Sequence, residues 1–320
     1  MHQSVLLTEA VDALNVVEDG IYIDATFGRG GHAMAILSRL GPKGQLWVMD
    51  RDDAAIAVAR QLFQEDKRVM ILHDTFDQMA HLIARAGLVG KVDGVLFDLG
   101  VSSPQLDDAE RGFSFLREGP LDMRMDRSQT LTAEAWLHQV PEKEMVQVFR
   151  TYGEERFAGR IARTIVERRN DKRITTTTEL AEIIKAAHPA WEKNKHPATR
   201  CFQAIRIVVN DEFSLIEKAL ASSVDALKIG GRLVVIAFHS LEDHIVKSFI
   251  QAESVANVPD RLPVMEKYLS RRLKKIGKVI RAQSDELDSN IRARSALLRI
   301  AEKVGDWSGV MMPLLSPKER

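Results

Sequence analysis

Only one cysteine, Cys201, occurs in the 320 residues of this chain. A single thiol excludes an intrachain disulfide and a cysteine-built zinc cluster. Aromatic residues are also sparse, at 6%, so a nucleic acid would find few rings on which to stack its bases. Net charge is absent, with 45 Lys and Arg balancing 45 Asp and Glu. Bulk charge therefore announces no nucleic-acid partner, and any such partner would have to be held by local basic patches. No apolar run is long enough to cross a bilayer. The stretch Met1–Glu9 has no basic region followed by a long apolar segment, so no signal peptide is expected. These absences fit a cytoplasmic globular protein, with room for one large domain or two ordinary ones.

The rest of the chain is organised around Ile21-Tyr22-Ile23-Asp24-Ala25-Thr26-Phe27-Gly28-Arg29-Gly30-Gly31-His32. Its β-branched start predicts a strand, its glycines a tight turn, and Ala33–Leu37 a helix. Strand, glycine turn and helix N-terminus form the nucleotide-binding corner of an open α/β sheet. Asp50 closes the next apolar run about 20 residues beyond the turn, where a carboxylate can accept ribose hydroxyls. Asp24 closes the first strand. A carboxylate there would repel a dinucleotide pyrophosphate but suits a ligand carrying an ammonium group, which favours S-adenosylmethionine over NAD. The alternative is that Asp24 merely caps the loop by accepting backbone N–H groups.

Further strands are expected at Val69–Asp74 and Val92–Leu99, separated by helices at Ala54–Phe63 and Phe76–Ala86, after an opening helix over residues 5–17. Such alternation predicts a doubly wound, Rossmann-like parallel sheet. From about Leu106 to Ala198 the strand signal stops. A polar loop, Asp107–Arg127, precedes helical runs at Ala133–Gln139, Glu142–Thr151, Glu154–Arg169 and Thr178–Ala187, with Pro141 and Thr178 as helix-start signals. This reads as an all-helical domain, 106–198, inserted into a discontinuous domain formed by 1–105 and 199–304. A long helix is expected over Cys201–Leu227, a strand over Arg232–Phe238, and a helix over Leu241–Gln251. A closing strand pair is expected near Val279–Arg281 and Ser295–Ile300, and a loosely held tail over 305–320.

Asp98-Leu99-Gly100-Val101-Ser102-Ser103-Pro104-Gln105 ends the fourth strand, where doubly wound sheets bind ligands, so Asp98 and Gln105 could recognise an adenine or orient a substrate amine. A plain polar turn fixed by Pro104 explains the same residues equally well. With His2-x-x-Val5-Leu6-Leu7, Asp24-x-Thr26-Phe27-Gly28-Arg29-Gly30-Gly31-His32, Arg111-Gly112-Phe113-Ser114-Phe115, Gly119–Met125, Tyr152-Gly153-Glu154-Glu155, His196–Arg200, Phe238–Asp243 and Arg292–Ser295, this stretch resembles the bacterial ribosomal RNA small-subunit methyltransferase H family, also called MraW. The matching motifs run through almost the whole chain.

The resemblance implies S-adenosylmethionine-dependent methylation of the N4 amine of a cytidine in the decoding centre of 16S ribosomal RNA, with a helical substrate-recognition insert. It also implies that Gly30, Gly31 and His32 line the methionine end of the cofactor, that Asp50 holds the ribose, that Phe76 lies near the adenine, and that Asp98 and Gln105 complete the pocket. No catalytic base is assigned; Asp98 and the backbone at Gly100–Ser102 are nearest, with His239 as an alternative that a structural role fits better. For RNA, Arg156, Arg160, Arg163, Arg168, Arg169, Lys172 and Arg173 form one basic cluster, diluted by Glu154, Glu155 and Glu167. Arg271, Arg272, Lys274, Lys275, Lys278 and Arg281 form a second, better one. The expected partner is 16S RNA within an assembled small subunit; a homodimer is compatible with the sequence. Two rival classes stand beside this reading: an NAD-dependent oxidoreductase and a non-catalytic RNA-binding factor.

Overall fold

A computed structural model of the chain describes residues 4–190, 196–255 and 271–306. The tail expected at 305–320 thus lies mostly outside the described residues, as does His2 of the N-terminal motif.

The N-terminal half alternates as its apolar pattern dictates. Helix α1 (Leu7–Ala13) precedes β1 (Ile21–Asp24), α2 (Gly31–Leu37), β2 (Gln45–Asp50), α3 (Asp53–Leu62), β3 (Val69–His73), α4 (Met79–Arg85) and β4 (Val92–Asp98). A 3-10 turn at Phe76–Gln78 leads into α4, and Gly87 in the left-handed region follows it. A short helix α5 (Ser103–Asp107) stands where the sequence suggested only a polar loop. Pro104 in its first turn and the Gln105 side chain, which accepts from the Ser102 N–H at 2.9 Å, are what make five residues helical.

The middle of the chain holds α6 (Ala133–Gln139), α7 (Glu142–Thr151), α8 (Ala158–Asp171) and α9 (Thr177–Ala187). The cap of α9 is Thr176, whose side chain accepts from the Glu179 N–H, and not Thr178 as the sequence suggested. The long helix expected over Cys201–Leu227 is two helices, α10 (Ala198–Val209) and α11 (Glu212–Ala226). The break falls at Asn210-Asp211, where Asp211 has φ 46. Asn210 carries it, because its buried side chain serves another segment: Oδ1 accepts from Met125 N at 2.8 Å and Nδ2 donates to Met123 O at 2.8 Å.

The chain closes with β5 (Leu227–Ala237), α12 (Ser240–Ser254), β6 (Leu273–Ile280), α13 (Ser284–Ser289) and β7 (Leu297–Lys303). The sheet order is β3-β2-β1-β4-β5-β7-β6; β7 alone runs antiparallel to its neighbours. Beginning at Leu227 rather than Arg232, β5 first pairs with β4 at Val92, then shifts register across Gly230-Gly231 before Arg232 pairs with Gly94. The order reverses beside β1, between β1 and β4, so their carboxyl ends open the crevice where such sheets take ligands.

Apolar residues are buried in three clusters. Two cover the opposite faces of the sheet, one beneath α1, α2 and α3 and the other beneath α4, α11 and α12. The third, including Trp136, Leu137, Phe149, Ile161, Ile165, Leu180 and Ile184, belongs to the helical segment. Helix α10, on the sheet side of the boundary drawn at 199, contributes Cys201, Phe202 and Ile205 to this helical cluster. Among the described residues, no helix is long and apolar enough to cross a membrane.

Candidate functional site

Backbone geometry after β1 builds the site. Thr26 N donates to Asp24 Oδ1 at 3.1 Å, and Gly28 N to Asp50 Oδ2 at 2.8 Å, so the turn is clamped between the carboxylates that end β1 and β2. Gly30, at φ 80, sits in the left-handed region and caps α2. A side chain on Gly31 would meet Ser4 Oγ at 2.0 Å, so this glycine lets the N-terminal segment cross close to α2. The turn opens into a cavity of about 420 Å³ at the carboxyl ends of β1, β2 and β4.

Five of the seven residues expected to hold a cofactor, His32, Asp50, Phe76, Asp98 and Gln105, line this cavity. Gly30 and Gly31 stand behind its wall and act through the shape of the turn. Phe76 meets Phe97 edge to face, with centroids 5.7 Å apart, which leaves a ring at the cavity edge for a flat ligand. Both Asp50 oxygens accept backbone N–H groups, from Gly28 and from Asp52 at 2.9 Å. Burial nevertheless raises its pKa against those bonds.

Acidic groups are concentrated under the crevice. Asp24 is 1% exposed, and one of its oxygens, Oδ2, has no hydrogen-bond partner. Burial lifts it to about 7, with the Thr26 N–H opposing and Asp50 adding repulsion. Asp98 Oδ1 is likewise buried and unpartnered, and Asp98 is pushed well above the carboxylate range by burial and by repulsion from Asp24 and Glu242. His32 faces it, Nδ1 to Oδ2 at 3.6 Å, while Nε2 lies 3.1 Å from Val5 O. Burial depresses His32 to about 4, so it is neutral at physiological pH. A neutral imidazole that donates from Nε2 to the Val5 carbonyl presents Nδ1 to Asp98 as an acceptor. Two unpartnered buried carboxyl oxygens, with no cation beside them among the described residues, suit a positively charged ligand.

Further wall residues are not among those that the sequence singles out. Asp52 caps α3 by accepting from Ala54 N at 3.0 Å, and its second oxygen takes Gln105 Nε2 at 2.6 Å and Arg111 Nη1 at 2.8 Å. Arg111 also donates to the carbonyls of Arg124 and Met125. This buried group ties the cavity wall to the start of the helical segment. The cap itself was legible, as an aspartate immediately before an apolar helix; its partner 59 residues away was not. Across the cavity, Arg206 grips Glu212 through two bonds of 2.7 and 2.8 Å, and its Nη2 lies 3.6 Å from Glu242 Oε1. Burial would raise Glu242, but His239, Arg206 and the Phe238 N–H outweigh it, and its pKa falls. His239 caps α12, Nδ1 accepting from Glu242 N at 3.3 Å, and is not part of the cavity wall.

The first basic cluster is largely engaged with protein. Arg169 donates to the carbonyls of Leu137 and Val140, closing α6, and Arg173 pairs with Glu134 at 2.6 Å. In the second, Arg272 pairs with Asp225 and Glu253. Lys274, Lys275 and Lys278 on edge strand β6, and Arg281 after it, are exposed and make no ion pair among the described residues.

Known proteins resemble this chain over most of its length. Residues 1–304 match a family model described as the MraW methylase family. A ribosomal RNA small subunit methyltransferase H from Legionella pneumophila strain Paris is 53% identical over 304 residues, 95% of this chain and 99% of that protein. One of the same description from Chromohalobacter salexigens is 54% identical over 306 residues, 95% of this chain and 92% of that protein. A solved rRNA methylase from Streptococcus thermophilus aligns with a TM-score of 0.42 at 11% identity, covering 95% of this chain and 99% of that one.

Proposed function

This chain belongs to the MraW methylase family, and from that membership we propose that it methylates the N4 amine of one cytidine in the decoding centre of 16S ribosomal RNA. The coarser activity is methylation of small-subunit ribosomal RNA, with S-adenosylmethionine as the methyl donor. The observation that carries the reading is the pair of buried, unpartnered carboxylate oxygens, Asp24 Oδ2 and Asp98 Oδ1, under a cavity beside β1 and β4. They fit a cofactor that brings both an ammonium and a sulfonium. They do not fit the pyrophosphate of NAD, which would add negative charge to an acidic floor.

Bound there, the cofactor supplies an electrophilic methyl group. Asp98 would hold the ammonium with Asp24 adding charge from beneath, Asp50 the ribose hydroxyls, and Phe76 the adenine face. The chain's further task is placement: the amine nitrogen, methyl carbon and sulfur must lie in line, and holding them so supplies most of the rate. A cytosine amine is a weak nucleophile because its lone pair is delocalised into the ring, so the target base must be held out of its stack and oriented. The Leu99–Ser102 loop lines the cavity beside Asp98, and its backbone would supply acceptors for the amine hydrogens. The helical segment and the β6 lysines would supply the RNA contacts, reading shape and phosphate more than stacked bases.

The test is calorimetric titration with S-adenosylmethionine, followed by transfer of labelled methyl to small subunits purified from cells lacking the gene. Binding together with label in 16S RNA is expected, both lost in Asp98→Ala. Binding without labelled RNA would keep the cofactor site and overturn the substrate.

A further inference from the structure

Leu116 is 87% exposed, more than any other large apolar residue among those described. It is held out by a built loop. Its own N–H donates to Ser114 Oγ at 3.3 Å. On one side, Phe115 packs against the rings of Phe202 and His196, with centroids 4.8 and 4.6 Å away. On the other, Arg117 O accepts from Thr177 Oγ1 at 3.2 Å. Gly119 N donates to the same hydroxyl at 3.2 Å, and Glu118 accepts from Thr178 Oγ1 at 2.9 Å.

The loop is tied to the cavity wall through one side chain. Arg117 Nη1 donates to Asp107 O at 3.4 Å, and the neighbours of Asp107, Leu106 and Asp108, are cavity wall. Asp107 Oδ1 in turn accepts from Arg292 Nη2 at 2.8 Å, and Arg292 is itself a cavity-wall residue. Of the acidic groups near this loop, Asp107 is paired with Arg292, while Asp108 accepts the Glu110 N–H and Glu118 accepts the Thr178 hydroxyl. Arg29 and Arg117 remain exposed, with no ion pair among the described residues.

We propose that Leu116 is a wedge that enters the RNA base stack and occupies the space left by the target nucleotide as it swings into the cavity, while Arg29 and Arg117 hold the flanking phosphates. This rests on small-subunit RNA being the substrate. A base inside the cavity leaves a gap in its stack, and an apolar side chain beside the opening fills it without a polar group to desolvate. Because the loop is already braced, Leu116 is presented without an ordering cost on binding. A single leucine flanked by arginines suits a stack between two phosphate backbones better than a broad apolar protein interface.

The full-length chain with Leu116→Ala, Leu116→Met or a photo-crosslinking benzoylphenylalanine at 116 tests this on intact small subunits. Leu116→Ala is expected to lower kcat by about tenfold or more, because unstacking is unassisted, with KM and S-adenosylmethionine affinity little changed. Leu116→Met should restore most of the rate. The crosslinker should label 16S RNA within one or two nucleotides of the methylated position. An unchanged kcat for Leu116→Ala, a crosslink to a second copy of the chain, or a crosslink to distant RNA would each overturn the wedge. Failure of the unaltered enzyme to methylate RNA would bring down the substrate reading on which the wedge rests.

Discussion

Asp24→Asn should make the ligand-free protein more stable at neutral pH while impairing its cofactor site. In the folded chain Asp24 titrates at about 7, against a reference near 3.8, because burial outweighs the Thr26 N–H bond. Between those values the folded state keeps a proton that the unfolded chain has released, so stability falls as pH rises through the window and the loss is complete above about pH 7. A displacement of about three units at 1.36 kcal/mol each amounts to about 4 kcal/mol. Asparagine keeps the acceptor for Thr26 N, never ionises, and removes one source of repulsion on Asp98. His32, depressed to about 4 by burial, contributes stability lost as pH falls from about 6.5 to 4, but it is common to both proteins and drops out of their difference. Urea unfolding of both proteins at pH 4.5 and pH 8 measures the effect. D24N should gain on the unaltered chain by several kcal/mol more at pH 8 than at pH 4.5, and S-adenosylmethionine should stabilise it less. A pH-independent difference between the two proteins would refute the burial argument.

Arg111→Ala leaves Asp52 buried without its cation and should cost about 3–5 kcal/mol, seen as a lower urea midpoint. Gly30→Val places a Cβ 2.7 Å from the Phe27 ring at φ 80, so calorimetry should find cofactor binding lost even where the variant folds. Replacing Lys274, Lys275 and Lys278 with Glu should weaken small-subunit binding and flatten its dependence on salt, measured by filter binding between 50 and 200 mM salt, leaving cofactor affinity intact.

What could be read from the sequence was what short-range pattern decides. Asp24, Asp50 and Asp98 were placed at strand ends because β-branched runs alternate and then stop, and a parallel sheet brings such ends to one edge. Of the closing pair, the strand expected at Ser295–Ile300 lies close to β7, but the one expected at Val279–Arg281 meets only the end of β6. That strand begins at Leu273 in a lysine-rich run that lacks an apolar pattern. Decisions made by distant partners were not legible. The helix breaks at Asn210 because that side chain bonds Met123 and Met125, more than eighty residues earlier in the chain. Arg169 reads as one basic residue among seven, yet its guanidinium closes the end of α6. Gln105 was expected to complete a ligand pocket; it does line the cavity, but both ends of its amide are engaged, by Ser102 N and by Asp52 Oδ2. The sequence points to Thr178 as the cap of α9, but the cap is Thr176, which also bridges to Pro120, a partner far away in the chain.

The most direct measurement is mass spectrometry of nucleosides from small subunits that lack the modification, before and after incubation with the enzyme and S-adenosylmethionine. The account predicts one new N4-methylated cytidine in 16S RNA, absent with Asp98→Ala. A methyl group on carbon, on a ring nitrogen or on another base would contradict it.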